Sequence, residues 1–362
     1  MKNSVAKNLL PKVAILGAGG LGTEMVKLLT KRPCLNLVAI ADKTGYIFQK
    51  DGLNTEQLSV DLNRSKSLAS IDDSVESADS IRELMSKHAK DIDAIFYALP
   101  NIPNNFLHTL TQNILASTDY TGVIVDAIKR TSALKELASL DSSLREKNVL
   151  YVAGCGATPG MLTAAVSVAC QSFVEIESVK ITFGVGIANW QAYRATIRED
   201  IAHLKDFSVN KVSQMTEQEI DSELEKRNGI LELVNMEHAD DIMLELAGIC
   251  PADRVSVGGI VDTKNPKKPV STNVEITGIT YQGQKSTHKF ILGDETTMAA
   301  NVNGSVLGYI NAALQMHNEY SVGGFKTAAE LMPRFAAYPL SSFSQFVKNF
   351  KEESVKKEML IS

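Results

Sequence analysis

A run of six residues near the N-terminus, Gly17 to Gly22, constrains the fold more than any other part of the sequence. It reads Gly-Ala-Gly-Gly-Leu-Gly and fits the pattern G-x-G-x-x-G. A short apolar run at 13–16 precedes it, and an amphipathic segment at 23–30 follows it. This order predicts a strand, a tight turn and a helix, the context in which the pattern binds a dinucleotide.

Each position of this turn has a predicted role. Gly17 allows the tight turn, Gly19 lets the backbone approach a pyrophosphate, and Gly22 lets the helix pack closely on the strand. Gly20 and Leu21 lie at the start of the helix, where unpaired main-chain N–H groups hold phosphates. A glycine turn without a ligand is the alternative, and the strand and helix around the turn favour the dinucleotide site.

The nature of the dinucleotide depends on the end of the next apolar run. That run, at 35–41, ends on Asp42, which lies 20 residues after Gly22 and is placed to accept hydrogen bonds from a ribose. Asp42 favours NAD, whereas the neighbouring Lys43 would attract a 2′-phosphate. The predicted cofactor is therefore NAD(P).

The fold class follows from the spacing of the apolar runs. Further short apolar runs occur at 93–99, 123–125 and 149–152, and helical patterns separate them. Short apolar strands that alternate with helices predict a doubly wound parallel sheet of the Rossmann type, an α/β fold. Leu99, Pro100 and Asn101 end one such strand and are expected to flank the cofactor, although Pro100 and Asn101 are also ordinary turn residues.

The second half of the chain predicts a different domain. After about Phe173 strands follow one another, and Tyr281 to Gln284 have the composition of a hairpin turn. We expect a dinucleotide-binding Rossmann domain of residues 1–153 and 296–362, closed by returning C-terminal helices. Residues 154–295 are expected to form an α+β substrate-binding and dimerisation domain of mixed or antiparallel strands, which favours a homodimer.

Composition excludes several classes of protein. The 362 residues are 44% hydrophobic and 22% charged, with a net charge of −5, as in ordinary globular proteins. This charge favours neither nucleic acid nor an anionic membrane as partner, so a small polar ligand is expected. Four scattered cysteines, and no stretch near the roughly 20 apolar residues that span a bilayer, predict a cytoplasmic location.

A second glycine-rich turn, Gly154 to Gly160, leads from a strand into an apolar helix. Thr158 is a suitable N-cap, with Pro159 at the first helical position. The start of such a helix would face the crevice and hold a substrate carboxylate or the nicotinamide amide, with Gly154 beside the cofactor. A helix-starting turn without a ligand is the alternative.

Two polar clusters carry candidate substrate contacts. Arg194 and Arg198 are four residues apart, on one face if helical, and suit substrate carboxylates; a surface ion pair is the alternative. Helical spacing would also align Glu237, Asp241 and Glu245 on one face, with Asp240 beside them, where a cationic amine would compensate their charges. A solvated helix face or a metal held by Glu237, His238 and Asp241 remains open, and we expect no metal.

Proton transfer has two candidates. Lys129 lies just beyond the fourth strand, near the expected cofactor crevice, and the second candidate, His238, belongs to the residue type whose reference pKa of about 6.5 suits acid–base work. We expect Lys129, His238 and Asp241 to be catalytic, whereas a lysine beyond a strand is also common at a surface.

With these residues in view, the chain resembles the saccharopine dehydrogenase-like oxidoreductases, which are related to homoserine dehydrogenase. The matching segments lie at 16–22, 41–46, 97–101, 125–130, 154–160 and 293–304. The resemblance implies that NAD(P)H reduces an imine formed between an amine and a carbonyl compound, or that a secondary amine is oxidised. It also implies a substrate that carries both carboxylate and amine groups, as in saccharopine, carboxynorspermidine and carboxyaminopropylagmatine.

Two other functions stay open at this point. The first is reduction of an aldehyde, as in homoserine dehydrogenase. The second is a non-catalytic NAD(P)-binding regulator, which has less need of paired arginines and acids in a second domain.

Overall fold

A computed structural model describes residues 10–334 of the chain, except 66, 101–104, 188–189, 195–196, 235 and 296. The strands are β1 (Lys12–Leu16), β2 (Asn36–Ala41), β3 (Gly45–Phe48), β4 (Val75–Glu76), β5 (Ala94–Tyr97), β6 (Val123–Asp126), β7 (Leu150–Ala153), β8 (Glu175–Gly186), β9 (Ile230–Leu233), β10 (Val255–Asp262), β11 (Asn273–Ile279), β12 (Lys285–Ile291) and β13 (Gly324–Thr327).

The α-helices are α1 (Gly20–Lys31), α2 (Thr55–Arg64), α3 (Ser80–His88), α4 (Phe106–Ser117), α5 (Thr131–Ala138), α6 (Asp141–Glu146), α7 (Met161–Ala169), α8 (Trp190–Arg194), α9 (Ile197–Ala202), α10 (Val209–Ser213), α11 (Glu217–Lys226), α12 (Asp240–Leu246) and α13 (Met298–Tyr320). None of the helices in the described part of the chain has both the length and the apolar character needed to cross a bilayer.

The first sheet has the order β13-β7-β6-β5-β1-β2-β3-β4. Its central strands pair in parallel and are almost wholly buried, as continuous apolar runs between two layers of helices require. The strand order reverses at β1, which lies between β2 and β5. A crevice for a ligand therefore forms outside the carboxyl ends of β1 and β5.

Three strands of this sheet were not predicted: β3, β4 and β13, the last of which lies in a segment where only returning helices were expected. β3 pairs with β2 and β4 pairs with β3, both in antiparallel fashion. These strands have four and two residues, too short for a clear apolar pattern. They extend the sheet beyond β2 and carry the main chain that surrounds Asp42.

The second sheet has the order β12-β11-β8-β10-β9 and is mixed, as the run of strands predicted. β8 and β10 are parallel, and the remaining pairs are antiparallel. Helix α7 packs against β11 and β12. The turn between β11 and β12 includes Gly283, whose φ of 76° is a left-handed conformation that glycine adopts readily.

The chain returns to the first sheet after β12. Helix α13 packs against α1 and against β5, β6 and β7. Asn303 of α13 donates from Nδ2 to the Leu21 carbonyl oxygen at 3.0 Å. β13 then pairs in parallel with β7 at the edge of the sheet. The first sheet is thus made of residues 12–153 together with 324–327.

Candidate active site

The glycine turn after β1 is fixed by contacts with neighbouring strands. Gly17 has a φ of 113° and donates from its main-chain N–H to the Ala41 carbonyl oxygen at 2.7 Å. A Cβ on Gly17 would lie 2.3 Å from the Ala98 carbonyl oxygen, and one on Gly22 would lie 1.8 Å from the Gly17 carbonyl oxygen. Packing alone therefore requires glycine at both positions.

The middle of the turn has room for a ligand. A Cβ on Gly19 or Gly20 would meet no atom of the described residues within 4 Å. Gly19 is the N-cap of α1 and has no side chain to cap it, and the first turn contains no acidic residue. The main-chain N–H groups at Gly20 and Leu21 therefore begin a 12-residue helix whose positive end faces open space, an arrangement that fits a pyrophosphate.

Asp42 lies at the predicted position, at the end of β2, and most of its hydrogen-bonding capacity is used within the chain. Its Oδ1 accepts hydrogen bonds from the main-chain N–H groups of Thr44 at 2.7 Å and Gly45 at 3.1 Å, and its Oδ2 accepts one from Leu68 at 3.0 Å. Asp42 thus shapes the loop that joins β2 to β3, and Lys43 beside it is exposed. A ribose would find an acceptor only on the open side of Oδ2.

A cavity of about 280 Å³ opens at the carboxyl ends of β5 and β6. Its wall is largely apolar, with charged side chains at one side. The lining residues are Leu21, Tyr97, Leu99, Pro100, Leu107, Asp126, Ala127, Ile128, Lys129, Arg130 and Glu199. Leu99 and Pro100 thus border the crevice where they were predicted, and Asn101 lies outside the described residues.

Lys129 lines this cavity with an exposed side chain and is held through its main chain. Its carbonyl oxygen accepts a hydrogen bond from the Ala239 N–H at 2.8 Å.

Two acids near Lys129 have shifted pKa values. Burial of the Glu199 carboxyl raises its pKa, but a hydrogen bond from Arg130 and the charge of Lys129 outweigh this effect and lower the pKa overall. Burial raises the pKa of Asp200, with a hydrogen bond from Tyr193 and the charge of Lys129 acting against it.

A buried carboxylate that the sequence analysis missed lies at the floor of the cavity. Asp126 is 1% exposed and accepts hydrogen bonds at Oδ1 from Ile128 N–H at 2.9 Å and Gly154 N–H at 2.7 Å. Its Oδ2 accepts one from the Tyr151 hydroxyl at 2.7 Å. Burial raises the pKa of Asp126, and these three bonds oppose the rise. The signal was present, since Asp126 ends an apolar strand as Asp42 does.

The second glycine-rich turn differs from its prediction. Helix α7 begins at Met161 with Gly160 as its N-cap, so Thr158 and Pro159 are not its cap and first residue. Thr158 instead donates from Oγ1 to Asp240 Oδ2 at 2.8 Å. Gly154 is buried and gives its N–H to Asp126, so it shapes the turn and is not an open backbone donor.

The two arginines predicted to hold substrate carboxylates are paired within the chain. They lie on two separate short helices, α8 and α9. Arg194 donates to Asp221 Oδ1 at 2.5 Å and to Glu217 Oε2 at 2.8 Å. Arg198 donates to Glu217 Oε1 at 2.6 Å and to two main-chain carbonyl oxygens. The structure therefore supports the alternative, a surface ion-pair cluster at the start of α11; Arg130 is the arginine that lines the cavity.

The predicted helical face of acids is also incorrect. Helix α12 begins at Asp240, so Glu237 and His238 precede it and do not align with Asp241 and Glu245. Glu237 Oε1 accepts from the Ser132 N–H at 2.8 Å, and Asp241 Oδ1 accepts from Thr131 Oγ1 at 3.0 Å. Both carboxylates dock on the start of α5, where its N–H groups and dipole favour acids. They are not stacked against a cationic substrate.

The open alternative of a metal site is not supported. Within the described ranges, no group of three or more His, Cys, Asp or Glu side chains is arranged to hold a metal ion.

His238 and Asp240 form a buried pair beside the Lys129 segment. Asp240 is wholly buried, and His238 is 4% exposed. His238 Nδ1 lies 2.8 Å from Asp240 Oδ2, within ion-pair distance but off the line of a well-directed hydrogen bond. Asp240 also accepts hydrogen bonds from Thr158 and Thr163. The Asp240 carboxylate thus has three polar neighbours, and the His238 imidazole lies beside it.

Sequence comparisons match part of the chain to a dehydrogenase family model and most of the chain to a known protein. A family model described as glutamate/leucine/phenylalanine/valine dehydrogenase matches residues 3–177. The (S)-8-amino-7-oxononanoate synthase BioU of Haloferax mediterranei is 36% identical over 353 residues, covering 89% of this chain and 98% of that protein. The resemblance to saccharopine dehydrogenase-like enzymes is not confirmed by these matches.

Solved structures show the same two-domain architecture. DAP dehydrogenase of C. glutamicum, in complex with DAP, has a TM-score of 0.52 at 17% identity, covering 93% of this chain and 98% of that chain. An engineered D-amino acid dehydrogenase bound to NADP+ also has a TM-score of 0.52, at 16% identity, covering 94% of this chain and 99% of that chain. The predicted fold class, a Rossmann α/β domain with a second domain of mixed strands, is confirmed.

Proposed function

We propose that this chain, which belongs to the family of (S)-8-amino-7-oxononanoate synthase BioU, is an NAD(P)-dependent oxidoreductase that acts at a carbon–nitrogen bond. The direction proposed is reduction of an imine formed from an amine and a carbonyl compound, and the reverse is oxidation of a secondary amine. The observation that carries the proposal is the cavity at β5 and β6, which brings a lysine next to the crevice of a dehydrogenase fold.

The glycine turn and the cavity lie along one crevice. Open space around Gly19 and Gly20 accommodates the pyrophosphate, and the ends of β5 and β6 accommodate the nicotinamide half. When bound, NAD(P)H supplies hydride to a carbon held in the cavity. Lys129 and Arg130 then border the reacting carbon, and Leu99, Pro100 and Leu107 provide an apolar wall that excludes water.

The name of the relative suggests the class of compound that the cavity is proposed to bind. An 8-amino-7-oxononanoate carries an amine, a ketone and a terminal carboxylate on an aliphatic chain. The apolar wall suits the aliphatic chain. Arg130, whose guanidinium donates to Glu199 Oε1 at 2.8 Å, is proposed to attract the substrate carboxylate by its charge. We propose an amino-oxo carboxylate of this type as substrate.

Lys129 is proposed to act directly on the reacting centre. As an acid it would protonate the amine nitrogen while hydride adds to carbon. Its own amine is also chemically able to attack a ketone, with loss of water, to form the imine that hydride then reduces to a secondary amine. Both roles place its Nζ at the same carbon, and they differ in whether the product remains attached to the protein.

His238 is proposed to move protons beside Lys129. Two hydroxyl groups hold the Asp240 carboxylate, and we propose that this carboxylate orients the neighbouring imidazole when a proton is transferred, as in other acid–base pairs. His238 is buried and lies behind the Lys129 segment, outside the residues that line the cavity, so we propose that it acts on Lys129 through a water molecule and does not contact the substrate.

The test is oxidation of NADPH or NADH with 8-amino-7-oxononanoate, with and without an added amine, in the wild-type protein and in Lys129→Ala and Lys129→Arg. We expect turnover in the wild type and loss of at least about 100-fold in both variants. Intact-protein mass after the reaction separates the two roles: a mass increase on Lys129 shows that its amine enters the imine, and an unchanged mass shows proton transfer.

Other outcomes would contradict the proposal. Turnover with an aldehyde alone would indicate the homoserine dehydrogenase-like reaction. Binding of NAD(P) without turnover of any amine and carbonyl pair would indicate the regulator.

Homodimer formation and a cytoplasmic location stay predictions. Sedimentation analysis of the full chain tests whether it forms a homodimer.

A further inference from the structure

We propose that Asp126 is a positioning residue that sets the location of the Lys129 amine by joining two active-site loops. This inference rests on the proposed function of the cavity and adds a residue to it. We assign Asp126 no bond to the substrate. It acts through the main chain on either side of the cavity.

The first loop it holds is the one that carries Lys129. Asp126 Oδ1 accepts a hydrogen bond from the Ile128 N–H at 2.9 Å, one residue before Lys129. The next main-chain contact is the bond from Ala239 N–H to the Lys129 carbonyl oxygen. The lysine is thus fixed on its N-terminal side by Asp126 and at its own peptide by the segment that contains His238.

The second loop is the turn after β7. Oδ1 of Asp126 also accepts from Gly154 N–H at 2.7 Å, and its main-chain oxygen accepts from Cys155 N–H at 2.8 Å. A Cβ on Gly154 would lie 2.9 Å from the Met243 side chain, so this turn packs closely against α12. One carboxylate oxygen of Asp126 therefore accepts hydrogen bonds from both loops. It holds the loop of Lys129 and the turn that leads to Thr158 at a fixed distance from each other.

The third contact explains why the carboxylate stays in place. The Tyr151 hydroxyl donates to Oδ2 at 2.7 Å from within β7, and both residues are buried. A buried carboxylate without such partners would be costly, because each lost bond leaves a desolvated polar group. Asp126 thus has three donors on fixed main chain or on a buried ring, and its rotamer is determined by all of them.

Two variants of Asp126 separate the effect of its hydrogen bonds on the position of Lys129 from the effect of its negative charge. Asn at position 126 keeps an acceptor for Ile128 and Gly154 and places its amide nitrogen toward the Tyr151 hydroxyl, which can accept. Asp126→Ala keeps none of the three side-chain bonds. We therefore expect kcat to fall about 100-fold in Asp126→Ala, the scale of a displacement of about 1 Å at a reacting group, and to fall less than about threefold in Asp126→Asn.

A measurement on Lys129 itself keeps the test independent of turnover. Reductive methylation with ¹³C-formaldehyde labels the lysine amines, and the resonance of Lys129 is identified by its absence from Lys129→Arg. The Lys129 resonance and its titration should be the same in wild type and Asp126→Asn and should shift in Asp126→Ala. If this pattern holds but no substrate is turned over, the proposed function fails and the positioning role stands.

Two results would overturn the inference. Equal loss of kcat in Asp126→Asn and Asp126→Ala would show that the charge matters and the position does not. An unshifted Lys129 resonance in a folded Asp126→Ala protein would show that Lys129 is held without Asp126. If Asp126→Ala fails to fold, Tyr151→Phe removes one of the three contacts and should shift the same resonance by a smaller amount, and the absence of any shift would again contradict the inference.

Discussion

The four glycines of the turn after β1 differ in what surrounds them. Gly17 and Gly22 are required by carbonyl oxygens of neighbouring backbone, whereas Gly19 and Gly20 face open space. The pattern G-x-G-x-x-G therefore combines two structural positions with two that leave room for a ligand. Only the second pair gives a clean test of dinucleotide binding.

Gly19→Val is expected to weaken NAD(P)H binding at least about tenfold, or about 1.4 kcal/mol, because its side chain would occupy the approach of the pyrophosphate. Isothermal titration calorimetry with NADPH and NADH measures the effect. Gly304→Ala is the matched control, since its Cβ also meets nothing within 4 Å and it lies inside α13. Unchanged affinity in Gly19→Val would refute the placement of the site.

The His238–Asp240 pair gives a second prediction at this scale. Asp240→Asn keeps the shape of the side chain but removes the charge that orients His238. We expect kcat to fall about 100-fold or more with little change in NAD(P)H affinity, as for other acid–base pairs that lose their carboxylate. Stopped-flow measurement of hydride transfer and a parallel binding titration test this, and equal loss of rate and affinity would contradict it.

At the scale of helices and strands, the sequence predicted elements whose apolar pattern is local. β1, β2 and β5 to β7 follow continuous apolar runs, so the parallel sheet could be predicted. The acids at 237–245 fit a helical period equally well, but Glu237 is drawn to the N-terminus of α5, a partner that lies 105 residues away. The spacing of residues within one segment of the sequence cannot predict a contact with a segment so far away in the chain. The same reason applies to Arg194, whose partners are on α11.

The ion pairs of α8 and α9 with α11 predict small effects. Arg194→Ala should lower the free energy of unfolding by about 1 kcal/mol or less, because its partners Glu217 and Asp221 are largely exposed. The KM for the carboxylate substrate should not change. Arg130→Ala is the comparison, since Arg130 lines the cavity and its loss should raise that KM. Chemical denaturation and steady-state kinetics give both values.

At the scale of the whole molecule, the two sheets are joined by contacts between the segment at 237–241 and the segment at 129–132. Partial burial raises the pKa of Glu237, but hydrogen bonds from Ser132 and the charge of Arg130 outweigh it and lower the pKa overall. The stability that this carboxylate adds is therefore complete above its unfolded pKa of about 4.3 and is lost as the pH falls through the folded value.

Glu237→Gln should consequently be less stable than wild type at about pH 7, and the difference should shrink as the pH falls below about 4. Thermal unfolding at a series of pH values measures it. Glu245→Gln is a useful comparison, because Glu245 bonds to the Ala252 N–H of its own domain and should leave the inter-domain contact intact. A difference that does not depend on pH would argue against the assigned role of Glu237.

The return of the chain through α13 to β13 has a consequence for motion and for synthesis. The second sheet is inserted into the first domain and is tied to it at both ends, near residues 153 and 298. Two covalent connections, together with the hydrogen bonds between the segments at 129–132 and 237–241, restrict how far the second sheet can move from the first. During translation, the last strand of the first sheet emerges only after the whole insertion, so the edge beside β7 stays unpaired until then.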